Sequence, residues 1–305
     1  MKLKTNLLLI LLFIFSFGAQ AQTYTFEYNI KKGDSFTQTI VSNIKMIQEM
    51  MGQEMEIITQ ATIKNTYKVN EIKNELITID MVYNSIETVQ EMMGQKMLMG
   101  SESSLSDPMF GEVNTMFKSL TQTPISITIN KKGEVKEIKG IEKLQQAMME
   151  SIKDPNNTII TQVSQQFIGE EAIKNSFEQA MNIFFPEKAV IIGDSWEKSL
   201  FINQSQINID AIMKITLLSV TNNVATLKVE TILGSESKSY SVEINGMNVN
   251  MVMNGTQTGT IKIDLNTGWL KESDISQYII SESEVNDMKI PQTLTGTTKT
   301  IMEKI

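Results

Sequence analysis

The chain has 305 residues, of which 27 are Lys or Arg and 35 are Asp or Glu; it has no His, no Cys and a net charge of −8. Every basic residue is Lys. The chain therefore lacks the usual proton shuttle near neutral pH, the best nucleophile, the strongest soft-metal ligand and the bidentate anion clamp, and its acidity argues against a nucleic-acid partner.

The N-terminus reads Met1-Lys2-Leu3-Lys4, then an apolar run from Leu7 to Phe17, then Gly18-Ala19-Gln20-Ala21. A basic start, a short apolar stretch and an Ala-x-Ala ending predict a signal peptide over residues 1–21, cleaved to leave Gln22 first. Losing Lys2 and Lys4 takes the net charge from −8 to −10. No later window approaches about 18 consecutive apolar residues, so the expectation is a soluble exported protein, periplasmic or secreted, without a transmembrane anchor after cleavage. With no Cys, no disulfide is available and stability rests on burial.

Residues 22–139 read as a β lobe with one helix. Gly33-Asp34-Ser35-Phe36 opens it, and Tyr67–Asn70 and Leu76–Tyr83 alternate with the period of half-buried strands. Asp107-Pro108 supplies a cap and first turn for a helix near 107–120, with Met109, Val113, Met116, Phe117 and Leu120 at helical spacing. A hairpin closes the lobe over Ile127–Glu137, turning at Gly133. Residues 140–186 then read as a helical connection: Ile141, Leu144, Met148 and Ile152 form an apolar stripe, Asp154-Pro155 breaks it, and Glu170–Phe185 continue to Pro186.

Residues 187–305 repeat the first pattern. Gly193-Asp194-Ser195-Trp196 opens this part, Val224–Ile232 alternates, and Ile263–Glu272 turns at Gly268 much as the first closing hairpin does. Asn222-Asn223, Asn245-Gly246 and Asn254-Gly255 read as turns, and Gly296–Met302 reads as the last strand. The expected fold is mainly β (α+β): two related antiparallel lobes, or one long curved meander sheet, with a helical segment between and against them.

The order of these landmarks resembles an uncharacterised family of exported bacterial proteins. The resemblance rests on Ser101-Glu102-Ser103, the helix after it, the Ile127–Glu137 hairpin, helices ending near Pro186, and the Gly-Asp-Ser-Trp entry at Gly193. It implies no established activity. Many such proteins carry a lipid-attachment Cys after the signal, which this chain lacks. The architecture is also similar to that of periplasmic lipoprotein carriers, a sheet folded over helices around an apolar cavity, although fold alone does not set function.

The Gly-Asp-Ser triplets invite a Ser35 or Ser195 nucleophile, but no His is present to take its proton. They read better as turns in which Asp34 or Asp194 caps main-chain N–H groups and Phe36 or Trp196 starts a strand. A carboxylate-only hydrolase would draw on Asp34, Asp80, Asp194, Glu197, Asp264 and Asp274, none of them in a family signature. The 21 methionines form the other pattern. Met50, Met51 and Met55 recur as Met92, Met93 and Met97 in two copies of Gln-Glu-Met-Met-Gly-Gln, with Met99 beyond, and Met247, Met251 and Met253 follow later. Thioethers hold Cu(I), usually with His or Cys added, so neither metal nor cofactor is expected. Methionine also fills cores and lines surfaces that accept varied apolar partners.

The sequence thus predicts a non-enzymatic cell-envelope protein with an apolar groove, lined partly by these methionines, for a lipid or other lipophilic molecule. An envelope protein-interaction or scaffolding module is the alternative, and the carboxylate-only hydrolase comes third.

Overall fold

The computed structural model describes residues 22–50, 52–102, 108–121, 123–151, 177, 180–204, 207–244, 247–285 and 288–305. Most of the expected helical connection, the expected signal peptide over 1–21, the expected Asn245-Gly246 turn and Met51 lie outside them.

Twelve strands form one antiparallel sheet. In chain order they are β1 (Ser35–Met50), β2 (Gln53–Lys73), β3 (Leu76–Met92), β4 (Gln95–Gly100), β5 (Ile125–Asn130), β6 (Val135–Lys139), β7 (Ser195–Gln204), β8 (Ile207–Thr221), β9 (Val224–Ile244), β10 (Met247–Asp264), β11 (Trp269–Val285) and β12 (Met288–Lys304). Helices α1 (Pro108–Leu120) and α2 (Ile141–Ser151) interrupt them. The strand order is β6-β5-β3-β2-β1-β12-β11-β10-β9-β8-β7, with β4 added on β3. Of the two arrangements expected, a single sheet forms, because the first and last strands pair in its middle: Phe36 opposes Lys304 and the ladder runs to Gln48 opposite Gln292.

At about 3.3 Å per residue, the 21-residue strands β2 and β9 each reach about 70 Å. The β1–β2, β3–β4, β7–β8, β9–β10 and β11–β12 connections all fall at one end of the sheet, the far end. The β2–β3, β5–β6, β8–β9 and β10–β11 turns fall at the other, the base. Where both central residues adopt positive φ, as at Asn74-Glu75, Met93-Gly94 and Asn222-Asn223, the turn twist matches the strand twist and a two-residue hairpin closes. Asn254-Gly255 corrects the sequence reading. It is no turn but lies within β10, where a Cβ on Gly255 would stand 2.7 Å from the Tyr278 carbonyl oxygen on β11. The glycine is there for close strand approach, a role a turn-like dipeptide shares.

The core sits at the base on one face, here called the inner face. Ile125, Ile127 and Ile129 alternate with half-buried polar residues along β5, and they pack with Ile79 and Met81 of β3. On the C-terminal side Ile215, Leu217, Leu227, Val229, Ile261 and Ile263 continue the same layer. Val113, Met116 and Leu120 of α1 and Leu144 and Met148 of α2 cover the N-terminal part, with the Gly100 N–H donating to buried Asn114 Oδ1 at 2.8 Å.

The two Gly-Asp turns are built by the same hydrogen bonds. Gly33 N–H donates to the Val69 carbonyl at 2.9 Å and Gly193 N–H to the Leu217 carbonyl at 2.8 Å; Val69 and Leu217 return the bond to Asp34 and Asp194. Asp34 Oδ2 accepts from Lys31 N–H and Asp194 Oδ2 from Ile191 N–H, both at 2.9 Å. Asp34 alone adds an ion pair, 2.6 Å to Lys304 Nζ. The hydrogen bond and charge of Lys304, with the Lys31 N–H, hold the Asp34 carboxyl below its ordinary range. A depressed folded-state pKa contributes stability that is complete above the unfolded value of about 3.9 and is lost as pH falls through the folded value. Lys304 is half exposed, so solvent screens the pair, and chemical denaturation of the wild type and Asp34→Asn between pH 6 and 2 should therefore show a gap of about 0.5–1 kcal/mol at pH 6 that closes on acidification. A gap that stays constant with pH would remove the ion pair from the account.

Ahead of β1, a strap of alternating residues, Tyr24–Ile30, crosses the base. Tyr24 and Val190 exchange main-chain bonds, Tyr28 N–H donates to the Lys131 carbonyl at 2.7 Å, and Asn29 N–H donates to the Thr267 carbonyl at 3.0 Å. The strap thereby ties both closing hairpins, at Gly133 and Gly268, with Phe26, Tyr28 and Ile30 buried beneath.

Candidate functional site

Because directly opposed residues of an antiparallel pair share a face, the registers assign each strand residue to one side of the sheet. From Gln38 toward the far end, the inner face of β1 carries Ile40, Ser42, Ile44, Met46 and Gln48. These oppose Ile63, Ala61, Thr59, Ile57 and Met55 on β2. On the other side of β1 they meet Thr300, Thr298, Gly296, Leu294 and Gln292 of β12. Beyond β12 lie Ser273, Ile275, Gln277, Ile279 and Ser281 of β11, then Gly259, Gln257, Gly255 and Met253 of β10. Ile86, Thr88, Gln90 and Met92 on β3 and Met97 and Met99 on β4 extend the surface the other way. No Lys, Asp or Glu stands on this stretch of inner face among the described side chains. By register the nearest is Lys304, opposite Phe36 one inner-face position toward the base, and Lys198, opposite Met213, stands on the edge strand β7.

The charges are on the other side. Lys45–Glu56, Lys262–Glu272, Lys299–Asp274, Lys289–Glu282, Lys96–Glu91 and Lys228–Glu230 all pair on the outer face. Most residues of the charge-free stretch are half-buried rather than packed away, Ile44, Met46, Met55, Ile57, Leu294 and Ile279 among them. Toward the base the face ends in an aromatic recess. Trp269 stacks on Phe36 with centroids 5.0 Å apart and meets Tyr28 and Tyr67 edge-on at 5.2 and 5.5 Å. Gln38 and Met302, opposed across β1 and β12, line this recess with Tyr67 and Trp269, while Met181 and Phe184 face them. Burial holds the phenols of Tyr28 and Tyr67 well above the ordinary tyrosine range, so both stay protonated and neutral.

The expected methionines divide by place. Met55, Met92, Met97 and Met99 share the inner face of β2, β3 and β4, whereas Met251 and Met253 lie three strands from β1 on β10. Met253, 8% exposed, packs with Ile209 and Tyr240 as a small separate cluster against which Met251 rests. Met93 occupies the β3–β4 turn at φ 52° and is 80% exposed. Met51 and the side chains of Met50 and Met247 lie outside the description. Met46, Ile44 and Leu294, central to the face, carry no motif; only their parity within their strands marks them.

Gly33, Asp34, Gly193 and Asp194 lie at the base, away from this stretch, and Trp196 packs in the main core 6.0 Å from Phe26. Ser35 Oγ donates to the Tyr67 carbonyl and Ser195 Oγ meets Thr216 Oγ1, so both serines serve their strands. Asp264 Oδ1 accepts from Asn266 in its turn and Asp274 pairs with Lys299. Among the described residues no three acidic side chains converge.

The family model of a family of unknown function, DUF6263, matches residues 74–270, from the β2–β3 turn to the second residue of β11. The chain belongs to that family. The match omits the strap, β1, β2 and β12, so the central ladder lies outside it. No curated protein matches the chain. Among solved structures, Neisserial surface protein A is 7% identical over 88% of this chain and 96% of its own, with a TM-score of 0.22. An outer membrane channel from Pseudomonas putida F1 is 5% identical over 90% and 97%, with a TM-score of 0.23. OccK5 (OpdH) of Pseudomonas aeruginosa is 9% identical over 88% and 98%, with a TM-score of 0.26. At these TM-scores the likenesses carry no argument about fold or function. Among the described residues no helix is long and apolar enough to cross a membrane.

Proposed function

We propose that this member of the DUF6263 family is an exported, non-enzymatic cell-envelope protein that holds a lipophilic molecule against the inner face of its sheet. The charge-free inner face supports this reading: the seven adjacent strands from β4 to β10 keep the ion pairs of this stretch on the opposite side, although nothing in backbone geometry requires it. A wet face would ordinarily carry Lys and Glu, and a packed face would be uniformly apolar. This one mixes Ile, Leu and Met with Ser, Thr and Gln and stays half-buried, which suits an apolar ligand of variable shape. The outer face speaks against a membrane-spanning barrel, whose lipid-facing exterior is apolar.

Native mass spectrometry of the protein purified gently from its producing cells, followed by solvent extraction, is expected to return lipid at a fixed ratio. Met46→Lys, which places an ammonium in the middle of the inner face, should lower that ratio at least tenfold; Thr295→Lys, one register position away on the outer face, should leave it unchanged. Equal loss in both variants, or a lipid-free wild type, defeats the reading and directs attention to a protein partner instead.

A further inference from the structure

We propose that the polar end of this lipophile is uncharged and seats in the aromatic recess at the base, where Trp269 and Gln38 donate hydrogen bonds to an ester-type oxygen. The proposal rests on the reading above and adds the chemical class of the ligand, a neutral lipid ester such as an acylglycerol. Trp269 is only 4% exposed and its Nε1–H has no acceptor, a costly arrangement for a buried donor. Beside it, Asn65 Nδ2 and the Tyr67 hydroxyl both donate to Gln38 Oε1, at 3.1 and 3.2 Å. Gln38 lines the recess, and with its oxygen so engaged its NH2 is the group left to donate. The recess therefore offers donors.

It offers no counter-charge. Tyr28 and Tyr67 are held neutral, the residues lining the recess include no Lys, and Lys304, opposite Phe36, is committed to Asp34. A carboxylate or phosphate entering here would lose its hydration with no cation to replace it, whereas a carbonyl or ether oxygen needs only the donors. From Gln38 and Met302 the next pair along the ladder is Ile40 and Thr300, so an acyl chain leaving the recess runs directly onto the charge-free face.

The test is displacement of the fluorescent probe N-phenyl-1-naphthylamine from the purified protein at pH 8 by 1-monooleoylglycerol and by oleate, which share one acyl chain and differ in charge. Monooleoylglycerol is expected to displace the probe at a concentration at least tenfold below that of oleate. Trp269→Phe keeps the ring stack and removes the donor, and Gln38→Leu removes the amide; each should shrink the preference below threefold while the thermal midpoint changes little. Equal displacement by both lipids, or an unaltered preference in both variants, overturns the ester assignment and leaves the apolar face as the binding surface. Failure of the probe itself to bind, with no displacement by either lipid, overturns the apolar-face reading and this inference together.

Discussion

Trp269→Ala is expected to destabilise the fold by about 4 kcal/mol, among the larger costs a single truncation produces. Its indole is the hub of the base, touching Phe36 from β1, Tyr67 from β2 and Tyr28 from the strap, so removing it opens a cavity where three separate chain segments meet. Part of the cost is lost burial, and part is lost edge-to-face and stacked ring contact, about 0.5–1.5 kcal/mol for each pair. Urea denaturation followed by far-ultraviolet circular dichroism measures it. Trp269→Phe should recover most of the loss, because Phe keeps ring contacts and the Nε1–H it removes makes no hydrogen bond in the unliganded fold. Should Trp269→Ala cost less than about 1 kcal/mol, the base would not be the organising core.

Gly268→Ala is expected to cost about 3 kcal/mol, and it separates two physical effects. Gly268 has φ 74°, and a Cβ there would run into the Glu27 carbonyl of the strap and stand 2.9 Å from Tyr28 Cα. The substitution therefore adds backbone strain of about 1–2 kcal/mol and overpacking of about 1–3 kcal/mol. Gly193 has a comparable φ of 98° with nothing within 4 Å of its would-be Cβ, so Gly193→Ala should carry the backbone term alone, about 1–2 kcal/mol. Gly133→Ala should follow Gly268→Ala, since its Cβ would meet the Met181 carbonyl and the Tyr28 ring. Limited proteolysis should cut the 22–30 strap faster in the Gly268 and Gly133 variants than in Gly193→Ala. Indistinguishable cutting in all three would show that the strap does not depend on the two hairpin glycines.

The strap also gives the repeated turns a structural meaning. Each closing hairpin presents a carbonyl, from Lys131 or Thr267, to neighbouring main-chain N–H groups of the strap, so one short segment reads both hairpins at once. The glycines leave room for that passage, and Tyr28 fills the space between them, its hydroxyl donating to the Met181 carbonyl at 2.9 Å. The recess assigned to the ligand head thus stands beside the segment that joins the halves of the sheet.

The mainly β, antiparallel character and the resemblance to an uncharacterised family are legible in the residues alone. Both are local properties: period-2 alternation along β5 or β9 and Asn- or Gly-bearing turns write themselves within a dozen residues. Even at that level Asn254-Gly255 misleads, because a glycine that admits a neighbouring backbone looks the same as one that turns the chain. That Phe36 lies opposite Lys304 emerges only in the folded sheet, since pairing across more than 250 residues leaves no local trace. That central pairing made one sheet of two halves, and it set Met46 beside Leu294 while leaving Met251 and Met253 strands away from Met55 and Met92. Alternation says which residues share a face, but register alone says which faces join, and the charge-free surface exists only after they do.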